Sequence, residues 1–538
     1  MRLMPGHPLL PRLKFQHSVS STTLGKRMRV VFGIGGLVSG LLMVAPLQSQ
    51  QQGPEPVRAR DVALDLSIDP SGERLSGSMT LDVENWTKKP ASRVSFLLNR
   101  LMEASAVRDG TGAPLHFTQD VVRFRDTPMR QVTQILVDLR TPVAPGGHTL
   151  VRVDYAGNLV GYTEVGWLYV KDRIDTAFTI IRSDALAFPV IGGLSDAANR
   201  RIPTGLFTYR ASVRVPSKYL VASGGTLSRT INGDGTITWT YVSRGPSPFM
   251  NIAVAPFDTL VDGGVRLFYF APDSLGARRL MSSAKTALSL LNAWFGPLHS
   301  PVNLTITEIP DGWGSQASLV GGIIQSAAAF KDEARLGELY HELSHLWNVP
   351  DLENPSPRWN EGYAMFMQDL LRERVDAWGK RQESETQNVA TVKKFIATDS
   401  TLRRVPMIDY GAAAMTDKSY WVGELMFATL FDLVGQAEFN KIVGGYYQRF
   451  ATGGTTRDLI AVAKRTSSRD LTTFFDDWIL TPHWAEVVAN ATSISDLAAH
   501  YSGKPAQPTG PGPKRNGHVG LARARGPSPS AATSSESR

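Results

Sequence analysis

The hydrophobic period changes once along this chain, near residue 262, and that single change limits the architectures open to it. Before it, apolar and polar residues alternate. Leu64, Leu66 and Ile68 do so in ALDLSID, Met79, Leu81 and Val83 in SMTLDVEN, and Phe207, Tyr209, Ala211, Val213 and Val215 in FTYRASVRV. A period of two puts each set on one face of a strand. PSGE follows the first run. NGDG at 232–235 precedes ITWTYV, where Ile237, Trp239 and Tyr241 share a face as a hairpin partner would. After VRLFYF the period becomes helical in DSLGARRLMSSAKTALSLLNAWF, a short β-like patch follows in LTITEI and GGIIQ, and from Asp332 helix succeeds helix. The expectation is an α+β multidomain chain, with an antiparallel β domain over 57–262 and a mostly α-helical domain over 263–500.

Neither end belongs to that pattern. Residues 1–52 carry GKRMR and then an uncharged apolar run from Val30 to Leu47, which reads as a signal sequence, with an uncleaved anchor as the rival reading. Export is therefore expected, to a periplasmic, extracellular or membrane-anchored location. Residues 501–538 contain six prolines and almost no large apolar side chains, so they read as a disordered tail. These two ends also explain the net charge. Of +8 overall, residues 1–52 hold +6 and residues 502–538 hold +5, which leaves the region between them at −3. Nucleic-acid binding loses its main support.

With 538 residues, 42% of them hydrophobic, the chain is long enough for two or three units, and no internal repeat is visible. It has no cysteine, so a metal must be held by His, Asp or Glu. Asn85, Asn303 and Asn490 head triplets of the glycosylation type, a weak signal.

The chemistry concentrates in YHELSHLWNVPDLENPSPRWNEGYAMF, residues 340–366. In ARLGELYHELSHLW, Leu336, Leu339, Tyr340, Leu343, Leu346 and Trp347 recur at helical spacing, so His341 and His345 project one turn apart from one side. Two imidazoles can then reach one ion. Glu342, beside the first histidine, is placed to reach water at that ion and act as general base. Three prolines break the following segment, and a second helix begins near Glu361, the candidate third ligand of a His, His, Glu zinc site. A solvated helix face also produces such patterns, but with only ten histidines in the chain the match favours a metal.

HELSHLW followed by RWNEGYAMF resembles the zinc signature of the aminopeptidase N family of gluzincin metallopeptidases, in which HExxH precedes Glu in a W-x-N-E-G-F segment. The gap here, Leu346 to Asn360, is 15 residues where the family has 18. SYWVGELMFATLFDLVG resembles the family's Y-x-K-G segment. By itself Tyr420 reads equally well as a core tyrosine; the resemblance implies that it is the phenol stabilising an oxyanion. LSGSMTLDVENWT, VDYAGNL and FTYRASVRVPSKYLVASGG look like the family's saddle-shaped N-terminal β domain, and FFDDWILTP like the end of its thermolysin-like catalytic domain. The resemblance covers roughly 57–488 and implies a short form without the C-terminal helical-repeat domain.

One departure bears on substrate. The family holds a free amino terminus with a Gly-x-Met-Glu-Asn segment, and here Gly314 to Ser318 stand in its place, with Ala317 where the glutamate would be. Gln316, Glu308 and Asp311 are the polar side chains nearby, while Gly321, Gly322 and Ile323 could retain backbone pairing with a peptide. The substrate-binding candidates are Gln316, Gly321 and Gly322. The implied function is a zinc-dependent peptidase, aminopeptidase-like, acting on exported or extracellular peptides. The alternatives are an endopeptidase or non-peptide hydrolase of the same fold, and a surface binding protein with a vestigial zinc site.

Overall fold

A computed structural model describes residues 54–159, 172–203, 206–299, 303–311, 314–318 and 320–502. The apolar leader run and nearly all of the C-terminal tail lie outside these residues. Among the described residues no helix is long and apolar enough to cross a membrane.

The alternating half is built mainly on two packed sheets, with a smaller third beside them. The larger has seven strands in the order Thr226–Ile231, Thr236–Val242, Thr208–Pro216, Val57–Asp69, Arg74–Asn85, His148–Gly157 and Met102–Asp109. NGDG closes the hairpin at its edge, with Ile231 opposite Ile237. Most pairings are antiparallel as expected, but Val57–Asp69 runs parallel to Thr208–Pro216. A four-stranded sheet, Phe117–Arg123, Gln131–Val143, Ala91–Asn99 and Val190–Ile191, lies against it. Leu64, Leu66, Met79, Leu81 and Val213 from one sheet share a core with Val94, Phe96, Ile135 and Val137 from the other. Asn85 is wholly buried there and its Nδ2 donates to the carbonyls of Lys89 and Val143, so its triplet offers no amide to a glycan.

The helical half is built on a five-stranded mixed sheet, ordered Asp258–Asp262, Val265–Tyr269, Leu304–Ile309, Gly322–Ser326 and Gln316–Ala317. Its three middle strands are parallel. All six residues of LTITEI are buried, as a central parallel strand requires. The change of period at 262 falls in the Gly263–Gly264 turn, where both glycines have positive φ. The strand before that turn, although it alternates, already pairs into this second sheet. The two halves meet through apolar contact. Phe178, Ile180, Ala253 and Phe257, around a three-stranded sheet of Leu220–Ala222, Ile252–Ala255 and Thr179–Ile181, pack on Phe268, Ile309 and Ile324.

Candidate metal centre

The first metal-site helix, Leu336–Ser344, tightens into a 3-10 turn at His345–Trp347. All six residues of its apolar stripe are buried in the core of the helical half. That stripe turns His341 and His345 toward the start of a second helix, Trp359–Val375, which carries Glu361 in its first turn. The His345 and His341 Nε2 atoms are 3.2 Å apart. Glu361 Oε2 lies 3.5 Å from His341 Nε2 and 3.4 Å from His345 Nε2. A tetrahedral ion with bonds of about 2.0–2.1 Å, as zinc has to nitrogen and carboxylate oxygen, needs ligand separations of about 3.3 Å. These three donors meet that requirement, and no other group of three His, Asp or Glu among the described residues converges in this way.

A third element closes the site. Tyr420 stands at the start of the long helical stretch Ser419–Arg449, its ring parallel to that of His341 at 6.3 Å between centroids. Its phenol is near enough to feel the charges of Glu361 and Glu342. The helices approach this closely because Gly362 faces Gly423: a Cβ on Gly362 would sit 2.3 Å from the Gly423 Cα. Ser419 Oγ adds a 2.6 Å hydrogen bond to the Pro357 carbonyl.

The electrostatics separate the two carboxylates. Burial works against the charge of Glu361, but the Arg358 guanidinium and the two imidazoles outweigh it and hold the carboxyl well below its ordinary range. Glu342, buried and without a cationic side-chain partner of that strength, is pushed up to about 7 by desolvation, against the His341 imidazole and an N–H from Ala317. Burial and the Glu361 charge push the Tyr420 phenol up.

Of the substrate-binding candidates, Gln316 lies on the edge strand of the five-stranded sheet, where its Oε1 accepts from Asn251 Nδ2 at 2.9 Å. Gly321 and Gly322 form the turn behind that strand. Their backbone groups are engaged within the fold: Gly321 with Ser318 and Thr305, Gly322 with the backbone and side chain of Ser318. Gly322 also packs against Gly224, where a Cβ would come within 2.9 Å of the Gly224 Cα. The exposed edge next to Glu342 is therefore Gln316–Ala317, not the glycine pair.

Two residues at the site were not singled out from the linear sequence. Asn348, three residues after His345, places its amide 2.8 Å from the Nδ1 of that ring, which leaves Nε2 facing Glu361. Arg358 contacts Glu361 Oε1. In the W-x-N-E-G-F pattern a tryptophan stands three residues before the glutamate; here Trp359 stands two before and Arg358 three, a shift that could have drawn attention to it.

No family model and no curated protein matches the sequence. Solved structures do match in shape. The M1 zinc metallopeptidase of Deinococcus radiodurans aligns with a TM-score of 0.57 at 20% identity, over 82% of this chain and 95% of that one. The fold is that of the M1 zinc metallopeptidases. A variant of the same enzyme bound to a Tyr-Ser-Ala substrate aligns with a TM-score of 0.55 at 21% identity, over 79% of this chain and 94% of that one. A two-domain M1 zinc metallopeptidase variant bound to L-arginine aligns at 0.57 and 19% identity, over 82% and 95%. The two-part architecture, β sheets followed by a helical half, is common to them and to this chain.

Proposed function

We propose that this protein is a zinc-dependent metallopeptidase of aminopeptidase type, exported by its leader and acting on extracytoplasmic peptides. The observation that carries the reading is the convergence of His341, His345 and Glu361 Oε2 at zinc-ligand spacing, with Glu342 and Tyr420 beside them. Likeness to structures that hold a tripeptide substrate or a free amino acid supports the peptide class.

His341, His345 and Glu361 would hold the ion. Zinc, when bound, supplies a Lewis acid that polarises a carbonyl and makes water a nucleophile at neutral pH. Glu342 takes the proton from the attacking water and passes it to the leaving amine, a role suited to a carboxylate whose proton affinity burial has raised. Tyr420 keeps its phenolic proton and donates it as a hydrogen bond to the oxygen on which charge develops. The edge strand Gln316–Ala317 lies beside the metal-site helix and offers backbone pairing to an extended peptide.

Ala317 in the place of an amino-terminus-binding glutamate favours a second reading, cleavage of blocked or internal sites. Both are tested by mass spectrometry of a mixed pool of free and N-acetylated peptides incubated with the zinc-loaded full chain, beside Glu342→Gln. Trimming of free peptides alone establishes an aminopeptidase, and equal cleavage of blocked ones an endopeptidase. No cleavage of either overturns the peptidase reading in favour of a non-peptide hydrolase or a binding protein.

A further inference from the structure

Glu361 faces both imidazoles with Oε2 alone, because its Oε1 is taken by the Arg358 guanidinium. The two residues stand three apart at the start of the helix Trp359–Val375, Arg358 as its N-cap and Glu361 as its third residue. A glutamate in that third position commonly turns back to accept the N–H of the N-cap residue. Here the Arg358 N–H goes to Ser356 Oγ at 3.0 Å, and that hydroxyl donates in turn to Asp351 Oδ2. The carboxylate of Glu361 is thereby released from capping and can face the imidazoles.

Arg358 makes its contact from a left-handed backbone, φ 55° and ψ 32°. Its neighbours hold it there. The Pro357 carbonyl before it accepts from Ser419 Oγ at 2.6 Å, and its own carbonyl accepts the Glu361 N–H at 3.1 Å. Glycine takes such a backbone without cost, whereas a Cβ is crowded in it. The arginine side chain makes no capping hydrogen bond to the helix, so helix capping does not explain its presence. What it does is reach, half-exposed, onto a buried carboxylate. Strain held next to a functional carboxylate points to a need for that contact.

A carboxylate can bind one ion through one oxygen or through both. With two imidazoles already in place, a second oxygen from Glu361 would take the position that a catalytic zinc site keeps open for water or substrate. A guanidinium fixes a carboxylate oxygen by direction as well as by charge. We propose that Arg358 is a positioning residue that keeps Glu361 a one-oxygen ligand: it holds Oε1, leaves Oε2 to the ion, and so keeps the fourth position open. Ser356 and Asp351 serve the same end by satisfying the N–H that would otherwise compete for the carboxylate. The inference rests on the zinc reading above for the identity of the ion.

The test uses the full-length parent, Arg358→Gln and Arg358→Gly, each metal-free and zinc-loaded. Infrared difference spectra between the two forms report the ligand carboxylate: its asymmetric and symmetric stretches lie far apart when one oxygen binds and close together when both do. A wide pair is expected in the parent and a narrow pair in both variants. Peptide kcat should fall about 10–100-fold in the variants, the usual scale for losing an outer partner of a metal ligand, with KM little changed. A wide pair in Arg358→Gln overturns the proposal whatever its melting temperature, since a merely structural arginine would leave the coordination as it was. A narrow pair in the parent overturns it as well. If Arg358→Gln does not fold, Arg358→Gly, which suits the left-handed backbone, decides by the same spectra. A parent that shows the wide pair but cleaves no peptide removes the peptidase function and leaves this comparison intact; a parent that binds no zinc overturns both.

Discussion

Glu342 and Glu361 are both buried, and their neighbours alone make one a base and the other a ligand. Arg358 and two imidazoles keep Glu361 ionised, while Glu342 has only one imidazole and a backbone N–H against its desolvation. Glu342→Gln keeps the volume and removes the proton acceptor. Its kcat is expected to fall by about 10²–10⁴-fold, with zinc content per chain unchanged by atomic spectroscopy. A parallel loss of zinc would show that Glu342 supports the ion rather than the proton transfer. Residue identity and spacing were enough to name His341, Glu342, His345 and Glu361, because one helical turn fixes the relation of the first three. They were not enough for Arg358 or Asn348, which reach the site by side-chain direction.

Helix crossing places the tyrosine. Gly362 lies directly after the ligand Glu361, and Gly423 three residues after Tyr420, so their backbone contact brings the phenol to the carboxylate. In Gly362→Ala the new Cβ would meet backbone atoms of Gly423 and Glu424 at 2.3–2.6 Å, and neither can move without its helix. A loss of about 1–3 kcal/mol in urea unfolding is expected, with a disproportionate fall in kcat as Tyr420 is displaced. Gly445→Ala, on the same long helical stretch but exposed and with only Val462 nearby at 3.6 Å, should be neutral or stabilise by about 0.4–1 kcal/mol. Similar losses at both positions would contradict the crossing argument. The two glycines were visible in the sequence, yet nothing in a linear reading says that they touch.

Stability of the whole molecule should respond to metal and to pH. Metal that binds only the folded chain adds about 2.7 kcal/mol at a hundredfold excess over its dissociation constant, so chelation should lower the melting temperature and zinc should restore it, with no restoration in His345→Ala. The pH response includes Glu308, a fully buried carboxyl that desolvation raises to about 8. Between its ordinary value of 4.5 and about 8 the folded chain holds the proton more tightly than the unfolded one. Its contribution is therefore complete below about 4.5 and lost as pH rises through about 8, at no more than about 1.4 kcal/mol per pH unit. Glu308→Gln should flatten that slope in urea midpoints measured from pH 5 to 9; an unchanged slope would assign it to other groups.

The amino-acid sequence by itself determined what depends on near neighbours: the two periods and hence the two halves, the hairpin at NGDG, the apolar stripe that turns His341 and His345 to one side, and the exclusion of thiolate ligands. Tertiary structure decided what depends on distant segments meeting. It made one strand pair of the β half parallel, placed Asp258–Asp262 in the second sheet, and used the backbone of Gly321 and Gly322 within the fold. It also brought Arg358 and Tyr420 to Glu361. Period and turn chemistry act over a few residues and can be read along the chain, whereas the contact between residues 251 and 316 exists only after both halves have packed.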